Sequence, residues 1–175
     1  MGVPADRVSE TDEEFSVFVA ERWPTLIRAA RLIGCSPSEA EDLVQSALVK
    51  CYVSWSKVRR ADDRDAYVYR ILLNTHRSAL RRMSSRETPV DLAHAVHRDA
   101  AEDAELSTSV ERALARLSAQ ARQVVVLRYY VDLSERQTAE VLGIPAGTVK
   151  SRLARALIQL SEDPSLADLP GWSPR

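Results

Sequence analysis

The chain has 175 residues, of which 45% are hydrophobic and 28% charged, with 5 Gly and 2 Phe, a balance that favours helices over a sheet-rich fold. This length accommodates one domain or two small ones. No apolar run approaches the roughly 18 residues of a membrane span, and the polar, acidic start MGVPADRVSETDEEF is unlike a signal peptide, so no membrane insertion and a cytoplasmic location are expected. The net charge of -1 conceals blocks. Arg64 to Arg86 carries six Arg against Asp65, a net of +5; Glu87 to Glu111 carries seven acids against Arg98, a net of -6; Arg112 to Leu160 returns to +5. Two basic modules thus flank an acidic connector, a pattern suited to nucleic acid once those charges share helix faces.

Thr11 and Glu14 have capping-box spacing, and Phe15, Phe18, Val19, Leu26, Ile27 and Ala30 follow at helical intervals, predicting a first helix that Pro24 kinks or splits. Ser36-Pro37-Ser38-Glu39 combines an N-cap Ser, Pro at the first helical position and Glu at the third, so a second helix opens at about Pro37. Its apolar stripe is Ala40, Leu43, Val44, Ala47, Leu48, Cys51, Tyr52 and Trp55. Cys35 and Cys51, the only cysteines, read as two buried thiols. Lys57 to Asp63 reads as a loop, and Val68, Ile71, Leu72, Thr75, Ala79 and Met83 form the buried side of a third helix. Its opposite face carries Arg70, Asn74, Arg77, Ser78 and Arg81 at i, i+4, i+7, i+8 and i+11, one polar, basic surface able to follow a phosphate backbone. Tyr67 and Tyr69 suit base stacking or a half-buried core equally, and His76 falls on the inner half as a packed histidine.

Residues 87–108 lack sustained periodicity, contain Pro89 and hold the acidic block, so they are expected to form a flexible linker. Beyond them, Val110, Leu114 and Leu117 precede a helix expected from Ala119 through Tyr130. Ser134 and Gln137 then repeat the capping-box spacing, Ala139 and Leu142 face inward, and Gly143 suits a left-handed helix end. Pro145 can start a further helix with Val149, Leu153, Ala156 and Leu160 inside. Two helices meeting at a Gly turn predict a helix-turn-helix, whose second helix enters a major groove. Thr148, Ser151, Arg152 and Arg155 share its outer face and Lys150 flanks them, while Gly147 lets the backbone come close to DNA.

These segments resemble a known family. LSAQARQVVVLRYYVDLSERQTAEVLGIPAGTVKSRLARALIQL, from Leu117 to Leu160, looks like region 4 of extracytoplasmic-function (group IV) sigma factors of the sigma-70 family. EAEDLVQSALVKCYVSW, from Glu39 to Trp55, resembles their regions 2.1 and 2.2, and DAYVYRILLNTHRSALRR, from Asp65 to Arg82, their regions 2.3 and 2.4. The resemblance implies an all-α protein of two small domains, residues 11–86 and 109–162, with a tail at 163–175. It implies binding to core RNA polymerase through the β′ clamp helices and the β flap, recognition of -10 and -35 promoter DNA, and promoter melting. Asp42 and Gln45 would meet β′; Arg70, Asn74, Arg77, Ser78 and Arg81 would hold the melted -10 strand, with Asn74 near the pocket for a flipped base; Thr148, Lys150, Ser151, Arg152 and Arg155 would read the -35 element. Many members have Ser where Pro145 stands, so that position is left out of the contact set. Such proteins are often held inactive by an anti-sigma protein. No catalytic residue, cofactor or metal is expected: Asp91, His94 and His97 have only loose ligand character and fall in the linker. The competing readings are a dimeric helix-turn-helix operator-binding regulator, which leaves the basic face of the third helix and the polar EDLVQ edge without purpose, and a helical module whose basic faces bind an acidic protein, which charge reversal at Arg152 and Arg155 would separate.

Overall fold

The computed structural model describes residues 5–84 and 109–167. Among the described residues the chain is all-α with no strand, in two helical groups. The first comprises α1 (Ala5–Leu32), α2 (Pro37–Val53), α3 (Trp55–Arg59) and α4 (Arg64–Ser84). The second comprises α5 (Ser109–Ala115), α6 (Ala119–Val125) with a π-helical turn (Val126–Tyr130), α7 (Glu135–Leu142), α8 (Ala146–Ser161) and α9 (Pro164–Ala167).

In the first group α2 packs on both α1 and α4. Ala40, Leu43, Val44, Ala47, Leu48 and Cys51 line the buried side of α2, as their spacing predicts. The helix starts with a complete capping box: the Ser36 side chain accepts from the Glu39 N–H while Glu39 accepts from the Ser36 N–H at 2.8 Å. Phe15, Phe18, Tyr52 and Trp55 form an aromatic knot with centroids 5.0–6.2 Å apart, tying the middle of α1 to the end of α2 and the start of α3. Tyr52 is exposed and its hydroxyl donates to Asp12 at 2.6 Å, so it edges the knot instead of continuing the buried stripe.

Four local expectations are corrected. α1 begins at Ala5, placing Thr11 and Glu14 inside the helix, where Thr11 cannot serve as its N-cap. Pro24 does not split α1: Leu26, Ala29 and Ala30 are buried just beyond it, and the Thr25 hydroxyl donates to the Arg22 carbonyl at 2.9 Å. Within the expected 57–63 loop, residues to Arg59 belong to α3, because burying Trp55 and Val58 stabilises another helical turn despite the charges between them. Met83 lies past the last contact of α4 with the core and is exposed. The thiols of Cys35 and Cys51 are both free and buried, and burial pushes their pKa values up to about 12 and about 11.

In the second group Leu114, Leu117, Val124, Leu127, Val149, Leu153 and Leu160 make the core. The predicted helix from 119 to 130 is present, but its last five residues widen into the π turn, closed by the Val131 N–H on the Val126 carbonyl at 3.0 Å. The groups touch through α4 on α7 and through side chains that cross between them. Arg28 pairs with Glu111, the Gln137 amide donates to Asp63, and Arg122, buried, donates to the Ile33 carbonyl at 3.5 Å. The expected flexible linker and the loose Asp91, His94, His97 cluster lie outside the described residues.

Candidate nucleic-acid interface

The helix-turn-helix is built by two local signals. Ser134 caps α7 by accepting from the Gln137 N–H at 3.2 Å, and Gln137 accepts from the Ser134 N–H, completing the box. Gly143 then ends α7 at φ +67, a conformation that costs a residue with a Cβ about 1–2 kcal/mol. Pro145 is the N-cap of α8, with Ala146 as the first helical residue, and it offers no side-chain cap. Val149, Leu153, Ala156 and Leu160 are buried as the inner stripe of α8. The outer face carries Thr148 and Arg152, half-buried, and Lys150, Ser151 and Arg155, exposed. Ser151 donates to the Thr148 carbonyl at 3.2 Å and Arg155 to the Ser151 carbonyl at 3.1 Å, which holds the Arg155 side chain back along the helix. A Cβ added at Gly147 meets nothing within 4 Å, so no contact inside the chain demands glycine there and the surface is open to a ligand backbone.

Packing brings in residues that local pattern missed. Ser118 and Gln120, at the start of α6, join Arg152, Arg155 and Gln159 around a polar cleft of about 390 Å³ beside the outer face of α8. Only tertiary contact between α6 and α8 makes them neighbours.

The α4 face is assembled differently from the simple stripe. Arg70 and Asn74 are exposed, and Arg70 lies over the Tyr67 ring, 5.3 Å from its centroid. Ser78 donates to the Asn74 carbonyl at 2.8 Å and accepts from Arg81 at 3.1 Å, tying three of the five residues into one chain of bonds. Arg77 is half-buried and donates to the Leu142 carbonyl of α7 at 3.2 Å; burial lowers its pKa from the ordinary arginine value. Arg70, Asn74 and Arg81 therefore remain exposed, Ser78 is half-buried between Asn74 and Arg81, and Arg77 sits at the contact between the groups. Tyr69 is buried, its phenol pushed up to about 12 by that burial, which leaves Tyr67 as the ring near the surface. His76 is half-buried with its pKa lowered, mainly by desolvation, as expected of a packed histidine.

On α2, Asp42 and Gln45 are both exposed. Val49 and Val53, 63% and 83% exposed, continue their edge at i+7 and i+11, giving a polar strip with an apolar end. The readable signal was two valines off the buried stripe of an otherwise regular amphipathic helix. Among the described residues no three His, Cys, Asp or Glu side chains cluster as metal ligands, and no helix is long and apolar enough to cross a membrane.

Comparison with known proteins decides the family. The profile described as Sigma-70 region 2 matches residues 18–86, and that described as Sigma-70, region 4 matches residues 107–160. The RNA polymerase sigma-E factor of Streptomyces avermitilis is 37% identical over 161 residues, covering 89% of this chain and 88% of that protein. The chain belongs to the extracytoplasmic-function branch of the sigma-70 family.

The ECF RNA polymerase sigma factor SigM of Mycobacterium tuberculosis is 33% identical, across 78% of this chain and 69% of its own. Among solved structures, the sigma factor RpoE in complex with the anti-sigma factor NepR from Bartonella quintana superposes with a TM-score of 0.67 at 23% identity, over 86% of this chain and 96% of that one, a likeness of fold. CnrH, solved in complex with the cytosolic domain of CnrY, gives 0.59 at 26% identity, over 86% of each chain. As a sigma factor the protein binds core RNA polymerase, recognises promoter DNA and supports transcription initiation, so the dimeric operator-binding reading is not favoured.

Proposed function

We propose that this sigma factor divides its work among the three faces described above. Residues 11–86 form the module that holds core polymerase and the -10 strand, residues 109–162 the module for the -35 element and residues 87–108 the tether between them; of the expected tail 163–175, Asp163 and Leu166 are buried and α9 packs on α5, so that part belongs to the second module. Asp42 and Gln45 on α2, with the exposed Val49 and Val53 beyond them, meet the β′ clamp helices. The second module rests on the β flap. On α4, Arg70, Arg77 and Arg81 attract the backbone of the melted strand, Ser78 orients Arg81, and the exposed Asn74 amide both donates to and accepts from an extruded base. Capture of that base drives melting, so the protein catalyses no reaction and needs no cofactor. On α8, Thr148, Lys150, Ser151, Arg152 and Arg155 face the -35 major groove, with Arg able to make paired bonds to guanine. The site of action is the cytoplasm, where polymerase works. An anti-sigma protein is the inhibitory partner this reading expects, by analogy with the anti-sigma factor NepR bound to one structural neighbour.

The observation that carries this division is the coexistence of two polar, basic helix faces, on α4 and α8, in separate helical groups of one chain. A single-module regulator has no use for the first. The test is initiation by purified core polymerase on a panel of promoters, with the native chain and with Asn74→Ala. Promoter-specific transcripts that require the native chain and weaken with the variant support the assignment; equal activity of the two removes Asn74 from strand capture.

A further inference from the structure

Two arginines hold the joint between the helical groups by donating to a backbone carbonyl on its far side. Arg77 of the first group reaches Leu142, and Arg122 of the second reaches Ile33. His76 precedes Arg77 on α4, and Arg122 acts on it from α6 across the joint. The Nδ1 of His76 and the Nε of Arg122 are both buried, with no hydrogen-bond partner among the described residues. The joint therefore already holds polar groups that neither water nor protein satisfies, and it has little capacity for a further charge.

The charges around His76 are unbalanced. Glu39 acts on it from α2, against Arg122 from α6 and Arg77 from the next position of α4. Arg31 of α1 acts on the neighbouring Cys35, together with Glu39 and Arg122. Of the other helices packed on α4, α7 carries Arg136 and Glu140, which pair with each other at 2.9 Å, and the half-buried Glu135; α3 carries the exposed Lys57, and Arg59 paired with Glu14 at 3.0 Å. Burial lowers the pKa of His76 from 6.5, Glu39 opposes the shift, and the two arginines reinforce it.

We infer that His76 is a pH-sensitive release for the joint: its protonation sets a third positive charge against Arg77 and Arg122, the two arms that hold the groups together, and the joint opens. Histidine is the side chain whose charge ordinarily changes between about pH 5 and pH 8. The closed form resists a proton that a hydrated His76 accepts near pH 6.5, so closure is at full strength above that pH and weakens progressively below it. Opening frees Arg77 from the Leu142 carbonyl. The consequence for a DNA strand rests on the role proposed above for Arg77; the opening itself does not.

The experiment follows the distance between spin labels at Arg60→Cys and Glu162→Cys, one exposed site in each group, in the full chain from about pH 8 to about pH 5. The distribution should broaden and lengthen below pH 6.5 while far-ultraviolet circular dichroism stays unchanged. His76→Gln, which takes up no proton, should stay closed throughout, and this variant leaves His94 and His97 in place as a control. Glu39→Gln keeps a capping-box side chain on α2 but removes the anion facing His76, so it should move the opening to lower pH. If His76→Gln loses its helical signal at about pH 8, the Glu39→Gln shift decides the question. A native distribution that ignores pH would overturn the inference. So would either variant opening along the native curve, or an opening that coincides with loss of helix.

Discussion

Arg77 of α4 donates to the carbonyl of Leu142, the last residue of α7, at 3.2 Å, so a residue of the proposed -10 face is engaged by the helix-turn-helix. Turning the whole guanidinium toward a strand competes with that bond. Arg77→Ala is expected to loosen the contact between the groups. Paired spin labels at Arg60→Cys and Glu162→Cys, both exposed positions, should report a broader and longer distance distribution in the variant, and in the native chain on adding core polymerase. The native Cys35 and Cys51 thiols, with pKa values near 12 and 11, should stay unlabelled. An unchanged distribution would show that Arg77 does not hold the groups together.

Charge reversal on α8 separates specificity from assembly. Arg152→Glu with Arg155→Glu should abolish promoter-specific initiation while binding to core polymerase is retained, as measured by co-migration on gel filtration. Removing one of these arginines by Ala should cost about 1–3 kcal/mol if it reads a base, or lower the salt slope of promoter binding by about one if it holds a phosphate. Loss of core binding would refute the division of labour.

The turn should be sensitive to single atoms. Ser134→Ala removes the side-chain half of the α7 capping box and should lower stability by about 1 kcal/mol in urea unfolding. Gly143→Ala meets no steric obstacle within 4 Å, so its cost is that of the left-handed backbone, about 1–2 kcal/mol. A neutral Gly143→Ala would mean that the turn relaxes to another conformation.

His76 sets a pH dependence. Burial lowers its pKa from 6.5, and the positive charges of Arg77 and Arg122 act in the same sense, against Glu39. The unfolded chain therefore takes up a proton near pH 6.5 that the folded chain resists. The contribution of His76 to stability is complete above that pH and is lost progressively below it. Thermal unfolding of His76→Gln should show a shallower loss of Tm than the native chain between about pH 7 and pH 5; parallel curves would exclude His76 as the source.

Much of this architecture is legible because its signals are local. Ser36 with Glu39 and Ser134 with Gln137 announce helix starts by spacing alone, Gly143 announces an end, and the inner stripe of α8 follows from its period. Pattern misjudged places where tertiary burial outweighs local preference: Pro24 is carried within α1, and Trp55 with Val58 draws charged residues into α3. The α4 face was legible as a face, yet the bond from Arg77 to α7 spans 65 positions and leaves no local trace. Ser118 and Gln120 were missed for the same reason, since they approach α8 only when the second group packs.

Arg122 divides its hydrogen bonds unequally across the joint between the groups. It reaches the carbonyl of Ala115 at 2.8 Å and that of Leu117 at 3.4 Å inside its own group, but that of Ile33 across the joint at 3.5 Å. Parting the groups breaks the longest of these three bonds and leaves the two shorter ones in place. The buried cation then stays solvated by its own module, so the joint can open without stranding a charge. Two of the three bonds of Arg122 thus lie within its own module and one lies across the joint, so the cation belongs to the second module whether or not the groups are in contact.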